Sequence, residues 1–194
     1  MTDLVSILGL DTGLGHFGYA VLSFHRSESS GRLALTAAGG PVFSVITTNK
    51  SDKKRQVAAT EDNIRRCREL TPPLLRLIHP SSGLNVRALI VEAMSFPRNA
   101  SAVAKIGMAF GVVAILSEVF NLPVVQLSPQ EVKKRLCGRQ NASKEEIQSV
   151  VSLLYPMTVG VVSNGLAEHA YDALAVAHAS LDTEVVRMVR QIVV

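Results

Sequence analysis

The sequence predicts an α/β fold: a mixed five-stranded sheet, its first three strands antiparallel, flanked by helices. Three observations carry that prediction. The amino-terminal part reads as short apolar runs broken by glycine and polar turns, as in a β-meander. Beyond it, short β-branched runs alternate with long helical patterns, which is how parallel strands are connected. Finally, a chain of 194 residues that is 47% hydrophobic can fill a real core and fits one unit of ordinary size.

Val5 to Leu10 is the first expected strand, Gly13 and Gly15 supply a turn, and Gly18 to Phe24 is the antiparallel partner. Leu33 to Ala37 and Val42 to Thr47 extend the meander. Ala58 to Ile78 is helical in pattern, and Pro72 and Pro73 are expected to kink or split it. "VRALIVE" reads as a short buried strand ending at Glu92. Asn99 caps a long, heavily apolar helix running to about Phe120, and "LPVVQL" follows as another strand. Ser128 opens Ser-Pro-Gln-Glu and Ser143 opens Ser-Lys-Glu-Glu, two capping boxes, the first with proline at the first helical position. A last helix is expected over roughly Ala167 to Leu181. "HRSESSGR" and "TTNKSDKKRQ" read as polar loops.

Net charge narrows the partner class. Lys and Arg exceed Asp and Glu by 20 to 16, a formal charge of +4 with a sequence pI near 9.3, which leans towards a polyanion. Cys67 and Cys137 lie far apart without metal-ligand spacing, so both are expected as reduced thiols. "MTDLVSILGL" lacks a basic start, and the apolar stretches are interrupted by polar residues. No signal peptide or membrane span is expected, and the expected location is cytoplasmic.

The chemistry-bearing residues are acidic. Asp11 follows the first apolar run and Glu92 ends "VRALIVE"; if those strands are neighbours in a sheet, the two carboxylates converge. In "AEHAYDALAVAHA", His169 and Asp172 are three apart and share one helix face, while the alanines around them let that helix approach a sheet closely. Three carboxylates and one imidazole suit Mg²⁺ or Mn²⁺. Two such ions about 4 Å apart are a standard device for phosphodiester hydrolysis. Asp11-Thr12-Gly13 also permits an aspartic-protease half-site or a phosphate-receiving hairpin. The first needs a second copy that the chain lacks, and the second needs two such domains. A DNA-binding module without chemistry is a further class that the residues alone leave open.

The blocks "ILGLDTGLGHFGYAVL", "ALIVEAMSFPRNASAVAKIGMAFGVVAIL", "VVQLSPQEVKKRLCGRQNASKEEIQ" and "AEHAYDALAVAHA" resemble, in order and spacing, the RuvC-type Holliday junction resolvases of the RNase H-like superfamily. The resemblance covers most of the chain and implies one nuclease domain over residues 1–194. It implies Asp11, Glu92, His169 and Asp172 as the metal-binding catalytic set, with Lys133 and Lys144 touching or polarising phosphates. It also implies a magnesium-dependent homodimer, with manganese able to substitute and two ions per site, cutting four-way or branched DNA into ligatable ends and working beside branch-migration machinery. Location would be nucleoid-associated in a bacterium or host-cytoplasmic for a phage protein.

One position departs from the pattern. The family places an aromatic three residues after the strand glutamate; here that residue is Ser95, and Phe96 is the expected replacement. Further expected DNA contacts are Lys50, Lys53, Lys54 and Arg55 in one loop, Arg98 beside the strand end, and Lys134, Arg135 and Arg139. The shared metal chemistry leaves open a broader nuclease for forks and flaps, because substrate choice lies in shape and loops.

Overall fold

In the computed structural model, residues 4–26, 33–35, 41–51, 58–94, 99–156 and 167–191 are described. β1 (Leu4–Asp11) pairs antiparallel with β2 (His16–Arg26), from Leu4 opposite His25 to Asp11 opposite Gly18. β3 (Leu33–Leu35) and β4 (Val42–Thr47) both pair with the far edge of β2, β3 beside Phe24 to Arg26 and β4 beside His16 to Val21. They occupy one strand position end to end. β5 (Val86–Glu92) runs parallel to β1 on its other side, and β6 (Val124–Leu127) runs parallel to β5. Six strands thus fill the five expected positions of a mixed sheet.

Among the described residues, six α-helices accompany it: α1 (Ala59–Ile78), α2 (Ala100–Phe120), α3 (Pro129–Cys137), α4 (Lys144–Leu154), α5 (Ala167–Ala179) and α6 (Glu184–Gln191). Successive strand residues point to opposite faces. Leu8, Leu10, Leu89 and Val91 join a core with Leu70 and Leu74 of α1 and Val113 and Leu116 of α2. Ile7, Ala88 and Ile90 join the opposite core, with Ala173 and Leu174 of α5, Val132 of α3 and Ile147 of α4. Three layers result, the sheet lying between α1 and α2 on one face and α3 to α6 on the other.

The local start signals act as their chemistry requires. Asn99 accepts from the Ser101 amide to cap α2, and Ser128 and Ser143 form complete capping boxes with Glu131 and Glu146. Two expectations need correction. Pro72 and Pro73 do not split α1, which is continuous over its 20 residues. The carbonyls left without donors belong to Arg68 and Glu69, both exposed, so water can take the place of the missing amides. The helix expected to end near Leu181 stops at Ala179, and a 3₁₀ turn and then α6 follow, anchored by buried Val186 and Val189. By length and composition alone α2 is apolar enough to cross a membrane, with a mean hydropathy of 1.9. Only its Ala109, Val112, Val113 and Leu116 side is buried.

The closest packing in the fold is between α5 and the β1–β2 pair. A Cβ on Gly9 would meet the Ala173 carbonyl and the Ala177 methyl, and one on Gly18 would collide with the His169 carbonyl. Helix backbone therefore rests on strand backbone, which only glycine on one side and alanine on the other allow. Gly18→Ala should cost about 1–3 kcal/mol by overpacking. Its urea midpoint should fall accordingly, and an unchanged midpoint would show that α5 is free to lift.

Candidate active site

The sheet brings the carboxylates together by register. Leu10 pairs with Val91 across the parallel β1–β5 ladder, so Asp11 and Glu92, one residue further, sit side by side at the carboxyl ends of their strands. Residues 7, 9 and 11 of β1 and 88, 90 and 92 of β5 share the α5 face. Both carboxylates therefore point towards α5. His169 lies in its first turn, and its Nδ1 is 2.6 Å from Asp11 Oδ2. Asp172, one helical turn on, has Oδ2 3.3 Å from the Lys144 ammonium.

Both predicted lysines reach this place. Lys144 is the first residue of α4, fixed there by the Ser143 box, and Lys133 lies on α3 one turn after Pro129. Together with Glu92 and Asp172 they line a pocket of about 190 Å³ whose apolar wall includes Val132 and Ile147. Lys144 also pairs with Glu168, a carboxylate that the motif reading passed over. At the far end of α4, Tyr155 hydrogen-bonds His178 of α5 at 2.7 Å, tying the lysine-bearing helix to the one bearing Asp172.

The turn that follows Asp11 is held from outside. Thr48 donates its hydroxyl to the Leu14 carbonyl at 2.5 Å and its amide to the Gly15 carbonyl at 3.0 Å. Buried Arg66 of α1 in turn donates to the Thr48 hydroxyl at 2.9 Å. Neither Thr48 nor Arg66 bears any motif signal, because their work is a contact between distant segments. His16, also passed over, stacks on His169 with ring centroids 5.4 Å apart.

Electrostatics mark the site. Burial, then the nearby charges of Asp11 and Asp172, raise the Glu92 carboxyl to about 7, with Lys144 and Lys133 opposing. Burial also raises Asp172, against the pull of Lys144, and the Asp11 hydrogen bond raises His169 against its partial burial. Among the described residues, no three carboxylate, imidazole or thiol groups stand close enough as they are to enclose an ion. The donor set nevertheless fits a hard divalent cation: oxygen-rich, with one imidazole, and under a mutual repulsion that a cation would relieve.

The other predicted contacts divide. Arg135, exposed on α3, donates to the Ala179 carbonyl at 3.2 Å, and Arg139 pairs with Glu146; neither lines the pocket. Lys134 is exposed on α3, and Lys50 is exposed after β4. Lys53, Lys54, Arg55, Phe96 and Arg98 lie outside the described residues.

Comparison with known proteins bears on the chain as a whole. The family model described as crossover junction endodeoxyribonuclease RuvC matches residues 7–179, spanning all four acidic-site residues. A relative of that name from Parvibaculum lavamentivorans is 31% identical over 89% of this chain and 84% of its own length. One from Bartonella quintana is 30% identical over 91% of this chain and 89% of its own. The solved structure of Thermus thermophilus RuvC superposes with a TM-score of 0.61 at 25% identity, covering 91% of this chain and 92% of that one. A structure of the T. thermophilus protein in complex with Holliday junction substrate has the same fold, with a TM-score of 0.62 at 23% identity over 91% of each chain.

The raised Glu92 carboxyl gives a stability signature. Its folded-state value of about 7 lies above the ordinary 4.5, so between these values the folded protein keeps a proton that the unfolded chain has released. Stability from this group is full below the ordinary value and is lost as pH rises towards 7. Metal-free Glu92→Gln should therefore unfold at higher urea than the parent at pH 8, with little difference at pH 5. A lower midpoint at pH 8 would mean that the lysines stabilise the ionised carboxylate outright.

Proposed function

We infer that this chain, which belongs to the RuvC family of crossover junction endodeoxyribonucleases, resolves four-way DNA junctions by paired symmetric nicks through the Asp11, Glu92, His169 and Asp172 cluster. It is a phosphodiester hydrolase of DNA recombination and repair, and its family is metal-dependent. The observation that supports the residue assignment is the convergence of those four side chains at one sheet end, beside two lysines.

Magnesium is the cation proposed here, two ions per site, with manganese able to replace it. Asp11, Glu92, Asp172 and His169 would hold it. When bound it supplies concentrated positive charge at the scissile phosphate and lowers the pKa of water. The protein's own groups do the rest. Lys133 and Lys144 meet phosphate oxygens at the mouth of the pocket, Lys144 exchanging Glu168 for phosphate. Asp11 fixes the His169 ring through Nδ1. The apolar wall of Val132 and Ile147 keeps that side of the pocket dry, which strengthens each charge interaction.

A homodimer suits a substrate with two-fold symmetry. The seam proposed is the exposed stripe of α2, which carries Ala104, Gly107, Gly111 and Ile115. Among the described residues, nothing outside α2's own nearby backbone comes within 4 Å of a Cβ placed on Gly107 or Gly111, so no contact there uses their small size.

Asp11→Asn should abolish metal-dependent cleavage of an end-labelled four-way junction while keeping junction binding in a gel-shift experiment. Retained cleavage would overturn the metal-site assignment. Ile115→Glu should yield a folded monomer by sedimentation velocity that has lost paired nicking, and a persistent dimer would move the seam elsewhere.

A further inference from the structure

We propose that His16 is a positioning residue for His169, locking the plane of the imidazole that Asp11 holds by its edge. The inference rests on the nuclease reading above, and its observation is the ring stack between β2 and α5. The two rings lie 5.4 Å apart between centroids with planes inclined by 28°, a stacked pair.

The need for a second contact follows from imidazole geometry. A side chain's terminal torsion at an aromatic ring is broad, so rotamer preference alone leaves the plane of His169 loosely set. The 2.6 Å hydrogen bond to Asp11 holds the ring by one edge only, and a hydrogen bond tolerates a range of angles and distances, so the ring can still swing about Cβ–Cγ within that range. A flat ring laid on one face removes that swing, and the direction of the second ring nitrogen is then set. That nitrogen is the one left for a cation or a water at the site.

His16 itself is firmly placed. It is the first residue of β2, and its backbone pairs with Thr47 of β4. The turn before it is pinned by Thr48, which bonds the Leu14 and Gly15 carbonyls. Its side chain is exposed, so removing the ring opens no core cavity. The pinned turn thus presents two groups to the site, Asp11 at its start and His16 at its end.

The test separates the ring from its nitrogens. His16→Ala should lower kcat for junction cleavage about tenfold with KM little changed, the size of effect that supporting contacts around metal sites typically show. His16→Phe, which keeps a flat ring, should restore most of that loss. In the metal-free protein, the His169 ring protons should carry a ring-current shift by NMR in the parent and in His16→Phe, and lose it in His16→Ala. This spectrum is read without metal or DNA, so it judges the stack even if the parent cleaves no junction. Equal loss of kcat in His16→Phe and His16→Ala would overturn the proposal in favour of a direct polar role. His169 signals that do not differ between the parent and His16→Ala would overturn it by showing that the stack is absent.

Discussion

Everything at the active end of the molecule depends on how closely α5 lies against β1 and β2. Gly9 and Gly18 remove side chains from the strands where Ala173, Ala177 and the His169 carbonyl descend. A helix resting at backbone distance cannot slide or rotate without a collision, because close-packed interiors leave no slack. His169 and Asp172 therefore inherit the precision of the backbone. Larger residues at the interface would place the same side chains on a softer, thicker layer, and a misplacement of about 1 Å is costly in catalysis. The run of small residues is what allows a helix to serve as one wall of a sheet-end site.

The cost of the site is electrostatic, and it is visible in Glu92. Three carboxylates meet where two strands end, and burial removes the water that would otherwise screen them. Lys144 and Lys133 offset part of the repulsion, and Lys144 is held by α4, whose far end Tyr155 fixes to His178. The strain is tolerated because two separate cores, one on each face of the sheet, stabilise the scaffold away from the charges. A site that is uncomfortable when empty binds cations well, which is the usual exchange of stability for activity.

What could be read from the sequence follows the range of the interaction responsible. Caps at Asn99, Ser128 and Ser143 act over three residues and were legible, as was the pairing of His169 with Asp172 over one helical turn. Asp11 and Glu92 were legible because a strand's alternation fixes a face once the strands are neighbours. The split expected at Pro72 and Pro73 does not occur because their local cost falls on solvent-facing carbonyls that water can satisfy. The role of Arg135 depends on the Ala179 carbonyl, and that of Arg66 on the Thr48 hydroxyl; no spacing rule announces such distant meetings. The glycines at 9 and 18 read as ordinary strand residues until α5 is seen above them. The same holds for His16, whose meaning lies entirely in the ring it touches.

The layering also bears on how two copies could share one junction. The Asp11 and Glu92 carboxylates point to the face of the sheet that α5 covers, whereas α2 packs on the opposite face with α1. A seam along the outer stripe of α2 would therefore lie behind the sheet, and neither copy would cover the other's pocket. Each site would keep its own open approach, flanked by the β1–β2 turn and by the starts of α3 and α4. The chemistry at each site is indifferent to the shape of the nucleic acid, since it acts on a phosphate. In such a dimer, selection of a branched substrate would fall to the spacing of two sites across the seam, because only DNA whose like strands are separated by that spacing could engage both at once.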